Sequence, residues 1–88
     1  MKLKVKPNAS QNFKAFEIEA RQLNLEQRAE LNDKIMDQSV KQNFTFWIGI
    51  IKDNTTYSDD ELNQYSLDEL VAMASAIIES ANKKKLKK

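Results

Sequence analysis

The sequence predicts a mainly α fold, a small helical domain of three to four helices, and three observations support this. The chain has 88 residues, which is the size of one domain. A single Gly and a single Pro leave few positions that would break a helix. Helix-capping patterns recur at three places along the chain. We therefore expect one helical domain over residues 1–82, with an N-terminal strand region, and a flexible basic tail over residues 83–88.

Two segments near the N-terminus alternate polar and apolar residues, which is typical of half-buried strands. The first is Lys2–Lys6, which ends at Pro7, and the second is Phe16–Arg21. This alternation allows a short N-terminal β-hairpin. The second segment also fits a helix, because four apolar residues then share one stripe: Phe13, Phe16, Ala20 and Leu23.

The first clear helix signal is Asn24, which is followed three residues later by Gln27. This is a capping box, so a helix should begin at Leu25. Within that helix Glu30 and Lys34 have the order that favours an ion pair one turn apart. The apolar positions form a loose stripe: Leu25, Ala29, Leu31, Ile35, Met36 and Val40.

The most apolar stretch, Phe44–Ile51, fits two structures. Its composition is that of a buried strand. A helix is favoured, because no Gly or Pro turn separates the stretch from the preceding helix and because the later elements are helical. Gly49 should cost such a helix about 1 kcal/mol relative to Ala.

Two further capping boxes, Ser58 with Glu61 and Ser66 with Glu69, predict a short helix and then a long one, after a polar loop at Asp53–Tyr57. The long helix has the strongest periodicity in the chain. Its apolar positions are Leu67, Leu70, Val71, Ala74, Ile77, Ile78 and Ala81.

Composition excludes several classes of function. The chain has no Cys and no His, so it lacks a thiol nucleophile, an imidazole base and the usual ligands of zinc and haem. The acidic run at Asp59–Glu61 is explained by helix capping, and it lacks the spacing of a calcium loop. We therefore expect no enzyme activity, no metal and no cofactor. No apolar run approaches the ~20 residues of a membrane helix, and no signal peptide is evident, so we expect a soluble protein that stays in the cell.

Charge is distributed unevenly. Eight of the 14 basic residues lie in the two ends, which leaves six basic against 13 acidic residues over 7–82, a net charge of −7. An acidic body argues against nucleic acid binding by the fold itself. The basic tail is either solubilising or a weak contact for phosphates or an acidic protein. Its lysines are Lys83, Lys84, Lys85, Lys87 and Lys88.

The aromatic stretch is the best candidate for a binding surface. As a helix it places four residues on one face, which we expect to be core: Phe44, Trp47, Ile48 and Ile51. Phe46 and Ile50 lie on a second face. A domain of this size has too few other elements to bury both faces, so we expect the second face to bind a partner helix. The candidate partner-binding residues are Phe44, Phe46, Trp47, Ile50 and Ile51.

From residue 16 to residue 85 the chain resembles the small tail assembly chaperones of long-tailed bacteriophages. The resemblance lies in the order of four segments, and above all in YSLDEL at the start of the last helix. The segments are FEIEARQLN, LEQRAELNDKIMD, FTFWIGIIKDNT and SDDELNQYSLDELVAMASAIIESANKKK.

This resemblance implies a non-enzymatic protein that coats the phage tape measure protein, shields its apolar helices and helps to recruit tail tube subunits. It also implies action in the host cell cytoplasm and absence from the mature virion, with self-association as a further expectation. Such families often make a longer product by programmed frameshifting. The codons of Asn82–Lys85 must be rich in A, so they could contain the slippery heptamer that frameshifting needs. Two rival interpretations are a nucleic-acid-binding module that uses the tail and an acidic inhibitor of a host protein.

Overall fold

The computed structural model describes residues 1–82, and the basic tail expected at 83–88 lies outside them. Within this range the chain forms a two-stranded hairpin followed by four helices. This confirms the mainly α fold of three to four helices with a short N-terminal β-hairpin. The elements are β1 (Lys2–Val5), β2 (Phe16–Glu19), α1 (Leu25–Met36), α2 (Phe44–Asn54), α3 (Asp59–Leu62) and α4 (Leu67–Asn82).

The hairpin forms because the two alternating segments present their apolar residues to the same side. β1 and β2 are antiparallel, with Leu3 opposite Ile18 and Val5 opposite Phe16. Val5 and Ile18 are buried, whereas the intervening charged residues are exposed. The strand interpretation of residues 16–21 is therefore correct for Phe16–Glu19, and the helical alternative is wrong.

The three expected capping boxes are present. In the first, Asn24 Oδ1 accepts the N–H of Gln27 at 2.8 Å, while Gln27 Oε1 accepts the N–H of Asn24 at 3.0 Å. The boxes of Ser58 with Glu61 and Ser66 with Glu69 have the same reciprocal bonds. These bonds satisfy amides that a helix N-terminus leaves without partners, so they fix where α1, α3 and α4 begin.

α4 is the central element of the core. α2 packs mainly against it, and both β1 and α1 also contact it. Met73 and Ala74 in the middle of α4 have no exposed surface. The periodic residues expected to face inward are mostly buried or half-buried, but Leu67 in the first turn is 53% exposed.

The apolar stripe expected on α1 does not face the core as a whole. Only Leu31 is buried in this helix, and Ile35 is half-buried. The helix ends at Met36, so Val40 belongs to the following turn. Lys34 pairs with Asp53 of α2 at 3.1 Å instead of with Glu30. A short amphipathic helix that rests on one neighbour buries one narrow line of residues, which leaves the other apolar side chains outside.

The C-terminal end of α2 is joined to the chain that follows β2. Arg21 donates its backbone N–H to the carbonyl of Asn54 at 2.8 Å. The buried side chains of Asn54 and Thr55 donate to the carbonyls of Ile50 and Ile51, which ends the helix with its polar groups satisfied. These bonds hold the hairpin against the helical layer.

Candidate partner-binding surface

The burial of α2 differs from expectation on both of its faces. Phe46 is 8% exposed and Ile50 is fully buried, although the sequence placed both on the docking face. Ile51 is also fully buried, as expected of the core face, whereas Phe44 is 47% exposed. The assignment of Phe46, Ile50 and Ile51 to a partner-binding surface is therefore wrong for the folded chain.

This difference has a physical cause in how α2 is oriented. Both of its faces are apolar, so periodicity alone gives no preference between them. Asn43 caps the helix by accepting the N–H of Phe46 at 3.0 Å, and the helix then packs against α4. In this packing Phe46 and Ile50 are buried, while Phe44 in the first turn stays 47% exposed.

Trp47 lies between the buried and the exposed residues of α2. It is half-buried, and its ring meets the ring of Phe46 edge-on, with centroids 5.0 Å apart and an interplanar angle of 77°. Lys34 lies 6.0 Å from the centroid of the Phe46 ring while it pairs with Asp53. Trp47 therefore supports the packing of Phe46 as part of the core margin.

Exposed large apolar side chains concentrate in another place. Six such side chains occur among the described residues, and four of them fall between α1 and the start of α2. We call these four the exposed apolar surface; they are Leu25 at 79% exposed, Met36 at 68%, Phe44 at 47% and Val40 at 38%.

Helix geometry relates the members of the exposed apolar surface. Leu25 and Met36 lie about three turns apart on the same side of α1, with the exposed Ala29 between them. The turn after α1 then presents Val40, and Phe44 begins α2. The four residues thus lie on the outer side of α1, in the connection to α2 and in the first turn of α2.

That connection is held by side-chain hydrogen bonds. Asp37 Oδ1 accepts the N–H of Ser39 at 3.0 Å and its hydroxyl at 2.6 Å. The Ser39 hydroxyl, and then its N–H, lower the pKa of Asp37 below its ordinary value by stabilising the carboxylate. Gln42 donates its side-chain N–H to the carbonyl of Ile35 at 2.7 Å. These bonds fix the turn between Met36 and Phe44.

The sequence contained a weak signal for this surface that periodicity obscured. Leu25 occupies the first helical position after its cap, a place that often remains outside the packed part of a helix. Leu31 and Ile35, one turn apart, were the pair suited to the main neighbour of α1, which is α4. Leu25, Ala29 and Met36 lie off that line, so a narrower stripe would have placed them in solvent.

A second region brings together two tyrosines and two of the capping glutamates. Tyr57, Tyr65, Glu61 and Glu69 line a cleft of about 450 Å³. Each glutamate accepts the N–H of its own capping serine. Burial raises the pKa of Tyr65 above its ordinary value, and the neighbouring Tyr57 and the two glutamates add to this. The carboxylates of Glu61 and Glu69 in this cleft thus cap the N-termini of α3 and α4.

Within residues 1–82 no group of three or more acidic residues is arranged to hold a metal ion. Asp59, Asp60 and Glu61 occupy the first turn of α3, where Asp59 pairs with Lys52 at 2.7 Å. In the same range no helix combines the length and the apolar character that crossing a membrane would need. The five lysines proposed as a basic tail lie outside the described residues.

Comparison of the chain with protein-family models, with curated proteins and with solved structures finds no match. The resemblance to tail assembly chaperones therefore rests on the four sequence segments and their order.

Proposed function

We propose that this chain is a non-enzymatic tail assembly chaperone that binds the tape measure protein through its exposed apolar surface. The observation that carries the proposal is the clustering of Leu25, Met36, Val40 and Phe44 in one continuous part of the chain. Several large apolar side chains exposed in one region of a protein are a common mark of an interface. The sequence resemblance supports the same role.

The proposed mechanism is holding without turnover. An apolar helix of the partner would lie along α1 and cover Leu25 and Met36, with Phe44 packing at one end. Burial of apolar area would drive this contact, as it does in helix-in-groove recognition. The rest of the fold would stay unchanged, because the core beneath α2 is closed by Phe46 and Ile50.

The core supports this mechanism by separating stability from binding. Ile50, Ile51 and Met73 are fully buried, so they can hold the domain together without a partner. The exposed side chains are then available for a second protein. The broader proposal includes recruitment of tail tube protein, self-association, action in the host cytoplasm and absence from the virion.

The test is capture of the tape measure protein from co-expression with this chain. The partner to use is the product of the long, helix-rich reading frame that the proposal places downstream in the source genome. Met36→Gln and Phe44→Gln each remove exposed apolar area without adding charge, and both should reduce capture. Leu67→Gln is the matched control, because Leu67 has a similar exposure of 53% but lies at the start of α4.

Circular dichroism should show that all three variants stay folded, since each side chain is largely in solvent. Capture that is equally strong with Met36→Gln, Phe44→Gln and Leu67→Gln would contradict this surface as the binding site. A source genome with no long helix-rich reading frame beside this one would contradict the chaperone role itself. Binding driven by apolar burial should also change little with salt, in contrast to binding of phosphates.

A further inference from the structure

The fold assembles a basic groove that the charge distribution along the chain does not reveal. The groove has a volume of about 940 Å³ and runs between β1 and α4. Lys4, Lys6, Arg21 and Arg28 line it, and Glu79 is its one acidic lining residue among those that the structure describes. These cations come from three separate parts of the sequence, so a body with an acidic net charge still presents a local basic site.

One wall of the groove is the outer edge of β1. Met1, Leu3, Lys4 and Lys6 line it, whereas none of the residues of β2 does. Met1 and Ala20 exchange both of their backbone hydrogen bonds, at 2.9 and 2.8 Å. In an antiparallel pair such bonded positions recur every second residue. The backbone groups of Leu3 and Val5 therefore point to β2, and those of Lys2 and Lys4 point to the outer edge.

The opposite wall is α4, whose lining residues are mostly small, with Ile77 and Glu79 as the larger ones. Ala72, Ala76 and Ser80 lie along this side of the helix. They leave room beside β1 for another backbone. Arg28 closes one end of the groove, where its Nε donates to the carbonyl of Ala81 at 2.8 Å. An extended chain that entered the groove would meet strand groups that have no partner among residues 1–82 on one side. On the other side it would meet a helix face of mostly small residues that also carries Ile77 and Glu79.

β2 already shows which sequence suits β1. Glu19 stands opposite Lys2 and Glu17 opposite Lys4, while Ile18 stands opposite Leu3 on the inner face. Opposite charges placed across a strand pair favour pairing. A chain on the other edge of β1 would meet the same lysines on the same face. It would therefore also need acidic residues at alternate positions, with apolar residues between them.

We infer that this groove binds an extended segment of a partner protein in which acidic and apolar residues alternate, added as a third strand to the outer edge of β1. Main-chain hydrogen bonds to Lys2 and Lys4 would hold the segment, as in other cases of strand addition. The lysines on the edge would exclude basic segments. No aromatic side chain lines the groove among residues 1–82, so it lacks the stacking platforms of single-stranded nucleic acid sites. This site is separate from the exposed apolar surface and does not depend on the proposed chaperone function.

Fluorescence anisotropy with a short labelled peptide of alternating glutamate and valine tests the inference on the full chain. The peptide should bind, and a peptide of alternating lysine and valine should not. The double variant Lys4→Gln, Lys6→Gln should weaken binding by about tenfold or more, since it removes two attractive charges from the edge. Lys41→Gln is the control, because Lys41 is an exposed lysine that does not line the groove.

Amide hydrogen exchange measured by NMR tests the strand pairing separately. The peptide should slow exchange of the Lys4 amide and leave the Leu3 amide, already paired with β2, unchanged. Failure of the wild-type chain to bind the glutamate peptide would overturn the inference. Equal binding of the lysine peptide, an unaffected double variant or an unprotected Lys4 amide would also overturn it. Displacement of the peptide by oligo-dT at comparable concentration would identify a nucleic acid site in its place.

Discussion

The phenolic oxygen of Tyr57 accepts a hydrogen bond from the backbone N–H of Glu19 at 2.8 Å, across 38 positions of sequence. This bond closes the outer edge of β2, which would otherwise present an unpaired donor. The hairpin is therefore asymmetric: β2 is covered at this position by a side chain from the loop before α3, whereas β1 borders an open groove. Unpaired strand edges are where other chains add.

Tyr57→Phe should remove this bond while keeping the ring. We expect the free energy of unfolding to fall by about 0.5–1.5 kcal/mol, the usual net value of one hydrogen bond. Exchange of the Glu19 amide should become faster, which NMR can follow residue by residue. Tyr65→Phe is the control, since its ring stacks on Phe16 but its hydroxyl has no bond to the described residues. Similar exchange of Glu19 in both variants would contradict the assignment.

Gly49→Ala should stabilise the domain. Gly49 lies inside α2, and a Cβ built at this position meets no atom within 4 Å. Ala is favoured over Gly in a helix interior by about 1 kcal/mol, so the melting temperature should rise by several degrees. Thermal denaturation followed by circular dichroism measures this. A lower melting temperature would show that the space beside Gly49 is needed by another part of the protein.

The two faces of α2 should differ sharply in their effect on stability. Ile50→Ala removes a fully buried side chain, and we expect it to cost about 2–5 kcal/mol. Phe44→Ala removes a side chain that is 47% exposed, and we expect it to cost about 1 kcal/mol or less. Urea denaturation of the two variants gives the comparison. The reverse order would mean that α2 is rotated relative to the structure.

Trp47→Ala should destabilise the domain by an intermediate amount. The half-buried ring loses its edge-on contact with Phe46, and such aromatic pairs contribute about 0.5–1.5 kcal/mol beyond area burial. The total loss should stay below the ~3–5 kcal/mol of a fully buried Trp. Trp47→Phe should recover part of it in the same denaturation experiment. Identical stability of Trp47→Ala and wild type would place Trp47 outside the core margin.

The contribution of Glu19 to the free energy of unfolding should decrease as the pH falls. The N-terminal ammonium of Met1 lies 2.6 Å from Glu19 Oε2, and this hydrogen bond, followed by the attraction of the two charges, lowers the pKa of Glu19. A carboxyl with a lower pKa in the folded state stabilises the fold above its unfolded pKa, and the contribution is lost as the pH falls through the folded pKa.

Glu19→Gln should therefore be less stable than wild type at neutral pH, and the difference should disappear in acid. Urea denaturation at a series of pH values measures it. Glu17→Gln is the control, because Glu17 makes no hydrogen bond to the terminal amine. A stability difference for Glu19→Gln that stays constant from neutral to acid pH would show that the ion pair does not form in solution.

Local sequence features determined the elements of this fold. The capping boxes at Asn24, Ser58 and Ser66 set the starts of three helices because their hydrogen bonds join residues only three positions apart. Alternation likewise favoured a strand for β2, although a helical stripe fitted the same segment, since the face of a strand depends only on the parity of the residue. The mainly helical character of α2 was also predictable, although its composition suits a strand.

Tertiary packing alone decided which surfaces are open. α2 is apolar on two faces, and its own sequence gives no reason to prefer either one. The choice came from the docking of α2, which packs mainly against α4, and there Phe46 and Ile50 are buried while Phe44 stays 47% exposed. The basic groove arose in the same way, because Lys4, Arg21 and Arg28 meet only after the hairpin and α1 have docked on α4. Helix and strand formation depend on near neighbours in sequence, whereas exposure and local charge depend on which distant segments fill the space beside a residue.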